Sequence, residues 1–247
     1  MRLALSATAL TALLAGSVTL YGQAPPARGR SSAPTAQGRK APAKAAPAEK
    51  IGSNRYRLGA VTADLGAREV SVAGTVNADL TTLEFIANTE GGAKAYESAI
   101  TAATDAATFN AALLLIGLDP SHARVPVRHF DAAPPKGDAV EIWVEFQIGP
   151  AKKRVRAEEM LFDERTKLPL ANGSWVYTGS TFSAGRLMAD TDGVLIGFVH
   201  SPAPLIETTG KGAVSAYGSV VFNKRLGLPP HSPVTLIVKA VGPAAAK

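Results

Sequence analysis

The chain contains the residue types of a serine hydrolase, but their spacing matches no hydrolase motif. Ser180, His200 and either Asp190 or Asp192 could supply a nucleophile, a general base and an orienting acid. The segment around Ser183 lacks the first glycine of a nucleophile elbow. Serine, histidine and aspartate occur in almost any exported protein, so these residues support only an alternative reading of the chain.

Metal and cofactor chemistry find less support. Residues 190–193 resemble the middle of a calcium loop, yet Met188 and Val199 occupy its first and twelfth positions, where oxygen donors are required. Cysteine is absent, which excludes thiolate ligands and disulfides. The four histidines are scattered, at positions 122, 129, 200 and 231. We predict no metal and no cofactor, leave the catalytic residues unassigned, and lean towards a protein that is not an enzyme.

The remaining candidates are aromatic. Trp143, Trp175, Tyr177 and Ser180 could line a groove, because Trp and Tyr give a ligand a large rigid contact area and a polar group. Trp143 falls among carboxylates on the polar face of a predicted strand. The alternative interpretation is that the helix or a loop covers Trp143 and that Trp175 belongs to the core.

The amino terminus has the pattern of a secretory signal. Arg2 precedes an apolar run over residues 3–20, and small residues follow it. A retained anchor is the alternative, but this run is slightly short and rich in Ala, Ser and Thr. We predict a signal peptide over 1–24 and an extracytoplasmic location, periplasmic or secreted.

A basic linker is predicted over 25–50. Five prolines and eight alanines, with no aromatic or large aliphatic residue, cannot bury enough apolar area to fold. The formal charge of +6 belongs to residues 1–50, and residues 51–247 are neutral. The linker is either a cationic leash along anionic envelope material or a solubilising spacer. We expect no nucleic acid as partner, and membrane contact only through an uncleaved leader or this tail.

Residues 55–242 are predicted to form one α+β domain, with a mostly antiparallel sheet of about nine or ten strands. Apolar residues alternate with polar ones over 69–76 and 140–148, as in strands with one buried face. One helix near 105–117 is apolar nearly all round, which indicates burial. Its cap is Thr104 or Asp105, and Gly117 ends it. Glu90 and the two glycines after it predict a tight hairpin and an antiparallel meander.

Six short segments, taken in order, resemble the YdjY-like family of exported bacterial proteins. They are GTVN at 74–77, YES at 96–98, AALLLIGL at 111–118, VEIWV at 140–144, WVYTGS at 175–180 and PVTL at 233–236. The likeness spans roughly 60–242. It implies export and the extent of the domain, but it offers no activity and no catalytic residues.

These observations favour an exported cell-envelope domain without catalytic activity that binds a ligand or partner. An envelope polymer, a glycan or a protein is the expected partner. The alternative is an extracytoplasmic hydrolase whose polar site is drawn from Glu97, Ser180, Asp190 and His200. Structural self-assembly in the envelope is a third possibility.

Overall fold

The structure is a computed structural model that describes residues 44–78, 82–170, 173–210 and 218–242. The described residues belong to one compact unit that runs from residue 40. The predicted leader and residues 25–43 of the predicted linker lie outside the described residues. Within the described ranges, no helix is long and apolar enough to cross a membrane.

Strands dominate the described residues, and the helices are few. The helices are α1 (Ala106–Leu115) and α2 (Met188–Asp192). In chain order the strands are β1 (Ala48–Lys50), β2 (Arg55–Leu58), β3 (Val61–Asp64), β4 (Glu69–Val76), β5 (Phe85–Thr89), β6 (Ser98–Ala102), β7 (Asp138–Ile148), β8 (Ala151–Arg156), β9 (Leu161–Asp163), β10 (Leu168–Pro169), β11 (Trp175–Tyr177), β12 (Phe182–Ser183), β13 (Arg186–Leu187), β14 (Val194–Gly197), β15 (Ile206–Thr208), β16 (Val220–Phe222) and β17 (Pro233–Ala240). The α+β class is therefore confirmed, but the predicted nine or ten strands are too few, because many strands are too short for the sequence pattern to reveal.

Eight of the strands close into a barrel. Their order around the ring is β4, β17, β7, β11, β15, β14, β5 and β6, and β6 pairs with β4 again. Strands β3, β2 and β1 extend the sheet from β4, and β8 extends it from β7. The predicted antiparallel meander is thus too simple, because the sheet closes on itself where β6 pairs with β4 and keeps free edges only at β1 and β8.

The barrel interior is filled by the alternating residues of its long strands. Val70, Val72 and Val76 of β4 are buried, as the alternation predicts. On β7 the same holds for Val140, Ile142, Val144 and Phe146. Strand β17 lies between β4 and β7, and its buried Leu236 pairs in register with Val72 and Val144. These three strands form the wall whose outer face carries the candidate site.

The predicted hairpin at Glu90 is wrong. Strands β5 and β6 are parallel, and residues 90–97 cross between them through a 3₁₀ turn at Ala95–Glu97. Gly91 does have the positive φ that the pattern predicts, at 67°. A second crossover, over residues 198–205, joins the parallel strands β14 and β15. A local turn signal shows that the chain changes direction, but not which strand it pairs with next.

Helix α1 starts as predicted and is less buried than predicted. The side chain of Asp105 accepts a hydrogen bond from the backbone N–H of Thr108, and Gly117 follows the helix with a φ of 87°. Phe109 and Leu113 are buried, whereas Leu114 and Leu115 are 43% and 38% exposed. The helix contacts β3, β14 and α2, and its buried Phe109 and Leu113 belong to the same core as the inward-facing residues of the barrel, so only part of its surface is exposed.

One end of the predicted linker is ordered. Ala48–Lys50 forms β1 and pairs antiparallel with β2, and the side chain of Arg57 donates to Glu49 across that pair at 2.8 Å. The backbone N–H of Ala46 donates to the hydroxyl oxygen of Thr108 on α1, at 3.0 Å. These contacts attach the chain before β2 to the extension of the sheet and to α1.

Candidate functional site

Two of the four predicted binding residues face the core. Trp175 and Tyr177 are 1% and 0% exposed, on the short strand β11 between β7 and β15. The indole N–H of Trp175 donates to the carboxylate of Glu158 at 2.8 Å, and the Tyr177 hydroxyl donates to Asn110 of α1 at 2.6 Å. Burial raises the pKa of Tyr177. Both aromatic side chains therefore stabilise the barrel and offer no surface to a ligand.

Ser180 lies close to them in sequence but has a different role. It is a buried residue with a φ of 64°, and its hydroxyl oxygen accepts a hydrogen bond from the backbone N–H of Ala189 at 3.1 Å. Ala189 belongs to the first turn of α2. Ser180 thus satisfies an amide at the start of that helix.

Trp143 is the predicted binding residue that reaches the surface. It is half-buried on the outer face of β7, and its indole N–H donates to Glu141 at 3.2 Å. The guanidinium groups of Arg154 and Arg156, both on β8, lie 5.0 Å from the centre of its ring system. Trp143 is therefore an anchor for the two arginine side chains, beside the site described next.

A trough of three adjoining depressions crosses the outer wall of the barrel. The first, of about 480 Å³, has residues of β4, β7, β8 and β17 on its surface. The second, of about 220 Å³, shares Ala73 and Gly74 with the first and extends to Thr101 of β6. The third, of about 450 Å³, shares Glu90 and Ala103 with the second and ends at Ala46. We call this surface the wall trough.

The wall trough exists because β4 changes its partner halfway along. Residues 61–64 of β3 pair with 69–72 of β4, whereas β6 pairs with 74–76. At this fork a Cβ atom on Gly74 would lie 2.7 Å from the carbonyl oxygen of Thr101, too close for any side chain. Small residues, Ala73, Gly74 and Ala103, therefore form the floor where the barrel closes.

The wall trough is electronegative. At one end the carboxylate of Glu145 lies between two cations, Lys152 at 2.6 Å and Arg154 at 3.7 Å, so no unpaired negative charge is left there. In the middle lies Glu90, which forms no ion pair with a described residue. At the other end the carboxylate of Asp105 accepts from both the N–H and the hydroxyl of Thr108, at 2.7 and 2.9 Å. Two negative charges thus remain uncompensated along the surface.

A carboxylate–imidazole pair lies at the rim of the barrel, away from the predicted residues. The Oε2 atom of Glu84 is 3.0 Å from Nε2 of His129, and the Glu84 side chain is only 7% exposed. Burial raises the pKa of Glu84. The neighbouring Phe130 has a φ of 58°, which is rare for a bulky residue. Sequence reasoning missed this pair because 45 positions separate its members.

The four residues of the hydrolase alternative have separate partners. Glu97 pairs with Lys94 at 2.9 Å, and Asp190 accepts from the N–H of Ala107 at 3.2 Å. His200 is buried, and its two ring nitrogens each lie 2.9 Å from a backbone carbonyl oxygen, that of Asp131 or Thr208. Among the described residues, no hydrogen bond joins any two members of this set. The structure does not assemble them into a catalytic site.

Two other acidic groups matter for the electrostatics. Glu207 is fully buried, and its Oε1 atom accepts from the N–H of Ser201 at 2.9 Å while Oε2 has no partner among the described residues. Burial raises its pKa well above the ordinary value. At the surface, Asp138 lies 2.7 Å from Nδ1 of His122 and raises the pKa of that imidazole.

No group of three or more His, Asp or Glu side chains within the described ranges could hold a metal ion. A family model, the YdjY domain, matches residues 61–239. The chain belongs to the YdjY family. No curated protein and no solved structure matches the chain. The matched residues of this YdjY domain include most of the wall trough, from Ala73 on β4 to Thr235 on β17.

Proposed function

We propose that this chain is an exported cell-envelope protein whose YdjY domain binds a ligand or partner without catalysing a reaction. Export is supported by the apolar run after Arg2, which has the pattern of a secretory signal, and by the basic, proline-rich segment that follows it. An extracytoplasmic location places the domain among polysaccharides, lipid head groups and envelope proteins. The ligand or partner would come from this set.

The observation that carries the binding function is the continuity of the wall trough. Three depressions that share their border residues form one concave surface from Lys152 on β8 to Ala46. Concave surfaces with a few convergent polar groups are the usual form of binding sites. Trp143 lies two residues from Glu145 on the same face of β7, so it borders the trough.

The test blocks the floor of the wall trough without disturbing the core. Ala73 is exposed on β4, and the substitution Ala73→Trp would fill the border between the first two depressions. Ala67, exposed in the turn before β4, gives the matched control Ala67→Trp. We expect the wild-type protein and Ala67→Trp to sediment with a bacterial envelope fraction, and Ala73→Trp to stay in the supernatant. Equal sedimentation of all three would contradict binding through the trough.

The Glu84–His129 pair favours a second candidate function, that of a hydrolase. A buried carboxylate that orients a partly exposed imidazole is a common arrangement for general acid–base catalysis. Hydrolysis of a chromogenic ester, lost in both Glu84→Gln and His129→Gln while both variants keep the wild-type unfolding temperature, would support it. Equal hydrolysis by the wild type and His129→Gln would exclude the pair as the catalytic site.

A further inference from the structure

We propose that the wall trough binds a neutral, hydroxyl-rich chain, an unbranched oligosaccharide that lies across the strands of the barrel wall. This inference rests on the proposed binding function and names its ligand class. It follows from the charge of the trough, from the way its strands are paired, and from the polar groups on its surface.

The charge argues against polyanions. Glu90 and Asp105 leave the trough negative, and its lysine, Lys152, is already paired with Glu145 at 2.6 Å. A phosphate- or carboxylate-rich polymer would meet like charges at Glu90 and Asp105, in the second and third depressions. A ligand without negative charge meets no such barrier.

The strand pairing argues against an extended peptide that is added as a further strand. At the first depression, β7 pairs with β8 and β17, β17 pairs with β7 and β4, and β4 pairs with β17 and β6. The backbone groups of these strands are already used by their neighbours on both sides. A chain lying across β7, β17 and β4 must therefore be held by side chains, because these three strands have neighbours on both sides and the free edge of the sheet lies beyond them, on β8.

The available side chains suit hydroxyl groups. Thr75, Thr235 and Gln147 lie on the trough surface, and their side chains form no hydrogen bond with any described residue. Each carries both donors and acceptors, as does a sugar hydroxyl. The carboxylate of Glu90 adds a strong acceptor in the middle of the trough. The exposed floor residues Ala73 and Ala103 are small, which allows a ring to approach the backbone closely.

The dimensions favour a chain of several units over a single sugar. From β7 across β17 and β4 to β6 the trough crosses three strand spacings, about 14 Å. The third depression extends it further, towards Asp105 at the start of α1. Each depression adds its own contacts, so affinity must increase with ligand length until the trough is filled.

Isothermal titration calorimetry with neutral oligosaccharides of increasing length, drawn from hexose and N-acetylhexosamine series, tests this inference. We expect the full-length protein to bind longer members more tightly than the disaccharide and to ignore a sulfated polysaccharide. Ala103 is exposed in the second and third depressions, so Ala103→Trp should block both. We expect it to weaken binding of the long oligosaccharides about tenfold or more, which corresponds to the loss of a few hydrogen bonds. It should leave the disaccharide less affected, and Ala67→Trp should bind like the wild type.

The outcomes separate this inference from the proposed function. If the protein sediments with envelope material in a manner blocked by Ala73→Trp, yet binds no neutral oligosaccharide, the ligand class is wrong and the binding function stands. Tighter binding of the sulfated polysaccharide would likewise overturn the inference. If neither envelope material nor oligosaccharide binds, both proposals fail. Length-dependent binding that Ala103→Trp removes confirms the ligand class and the site together.

Discussion

The closure of the barrel depends on the absence of a side chain at Gly74. At this position β6 replaces β3 as the neighbour of β4. A Cβ atom on Gly74 would lie 2.7 Å from the carbonyl oxygen of Thr101 and 3.0 Å from Cγ2 of Ile100. The backbone oxygen cannot move away without breaking the β4–β6 pairing. We therefore predict that Gly74→Ala destabilises the protein.

The magnitude follows from two opposing contributions. Overpacking a close contact of this kind costs about 1–3 kcal/mol. Alanine itself is favoured over glycine in a strand by about 0.5–1 kcal/mol, because the unfolded chain loses less conformational entropy. The net loss in the free energy of unfolding is then between about 0 and 2.5 kcal/mol, with about 1 kcal/mol at the middle of this range. For a domain of this size each kcal/mol lowers the unfolding temperature by about 2–4 °C.

Chemical denaturation of the purified variant, monitored by circular dichroism, gives this free energy directly. The matched control is Gly52→Ala, because the nearest atom to its new Cβ would be Cβ of Arg55 at 3.5 Å, an ordinary contact. Gly52 is also exposed, so this control should stay within about 0.5 kcal/mol of the wild type. If Gly74→Ala were as stable as Gly52→Ala, β4 and β6 could not approach as closely as described, and the closed ring would be refuted.

Three further predictions concern buried and titrating groups. Trp175→Phe should destabilise the protein by about 1–3 kcal/mol in the same assay, because the buried carboxylate of Glu158 loses a hydrogen-bond donor. Trp143→Phe, at the surface, should cost less. Equal losses of stability would contradict the placement of the two side chains. Glu207→Gln should stabilise the protein increasingly as the pH rises. The pKa of Glu207 is raised in the folded protein, so the wild type loses free energy of unfolding as the pH rises above the ordinary pKa of a glutamate, whereas glutamine does not titrate. A stability difference that stays constant from pH 5 to 9 would refute burial of that acid. His122→Gln should be less stable than the wild type below about pH 6.5, and this difference should fade at higher pH. The reason is that Asp138 raises the pKa of the imidazole and so stabilises its charged form. A stability difference that persists at pH 9 would refute this pairing.

The sequence predicted the long elements of the fold well. Strand β4 was expected over 69–76 and runs over Glu69–Val76, and strand β7 was expected over 140–148 and runs over Asp138–Ile148. In both, apolar and polar residues alternate over enough positions to define a buried face. Helix α1 was expected near 105–117 and runs over Ala106–Leu115, with Asp105 as its cap.

Pairing between strands could not be predicted in the same way. The turn signals at Glu90–Gly92 are the same whether the chain reverses beside β5 or crosses over to become parallel to it. The deciding contacts are distant in sequence, such as the bond from the backbone N–H of Phe198 to the carbonyl oxygen of Glu84. Closure between β4 and β6 likewise depends on the absence of a side chain at Gly74, and a pattern of apolar and polar residues does not reveal that requirement.

The candidate site was predicted only in part for a related reason. Trp175, Val176 and Tyr177 are all apolar or aromatic, so no alternation shows which of them face inward. The wall trough is formed by small and polar residues on strands far apart in sequence, including Ala73 and Thr235. Of the predicted binding set, Trp143 alone borders it, because the acidic neighbours on its strand fixed its outward direction correctly.

The position of the last strand has a consequence for how the protein is made. Strand β17 inserts between β4 and β7, and it pairs with both along most of its length. Until residue 240 has left the ribosome those two strands have no common neighbour, and the ring stays open. Folding of the ring must therefore wait until residues 233–240 are available, and the long-range strand contacts should make it slow.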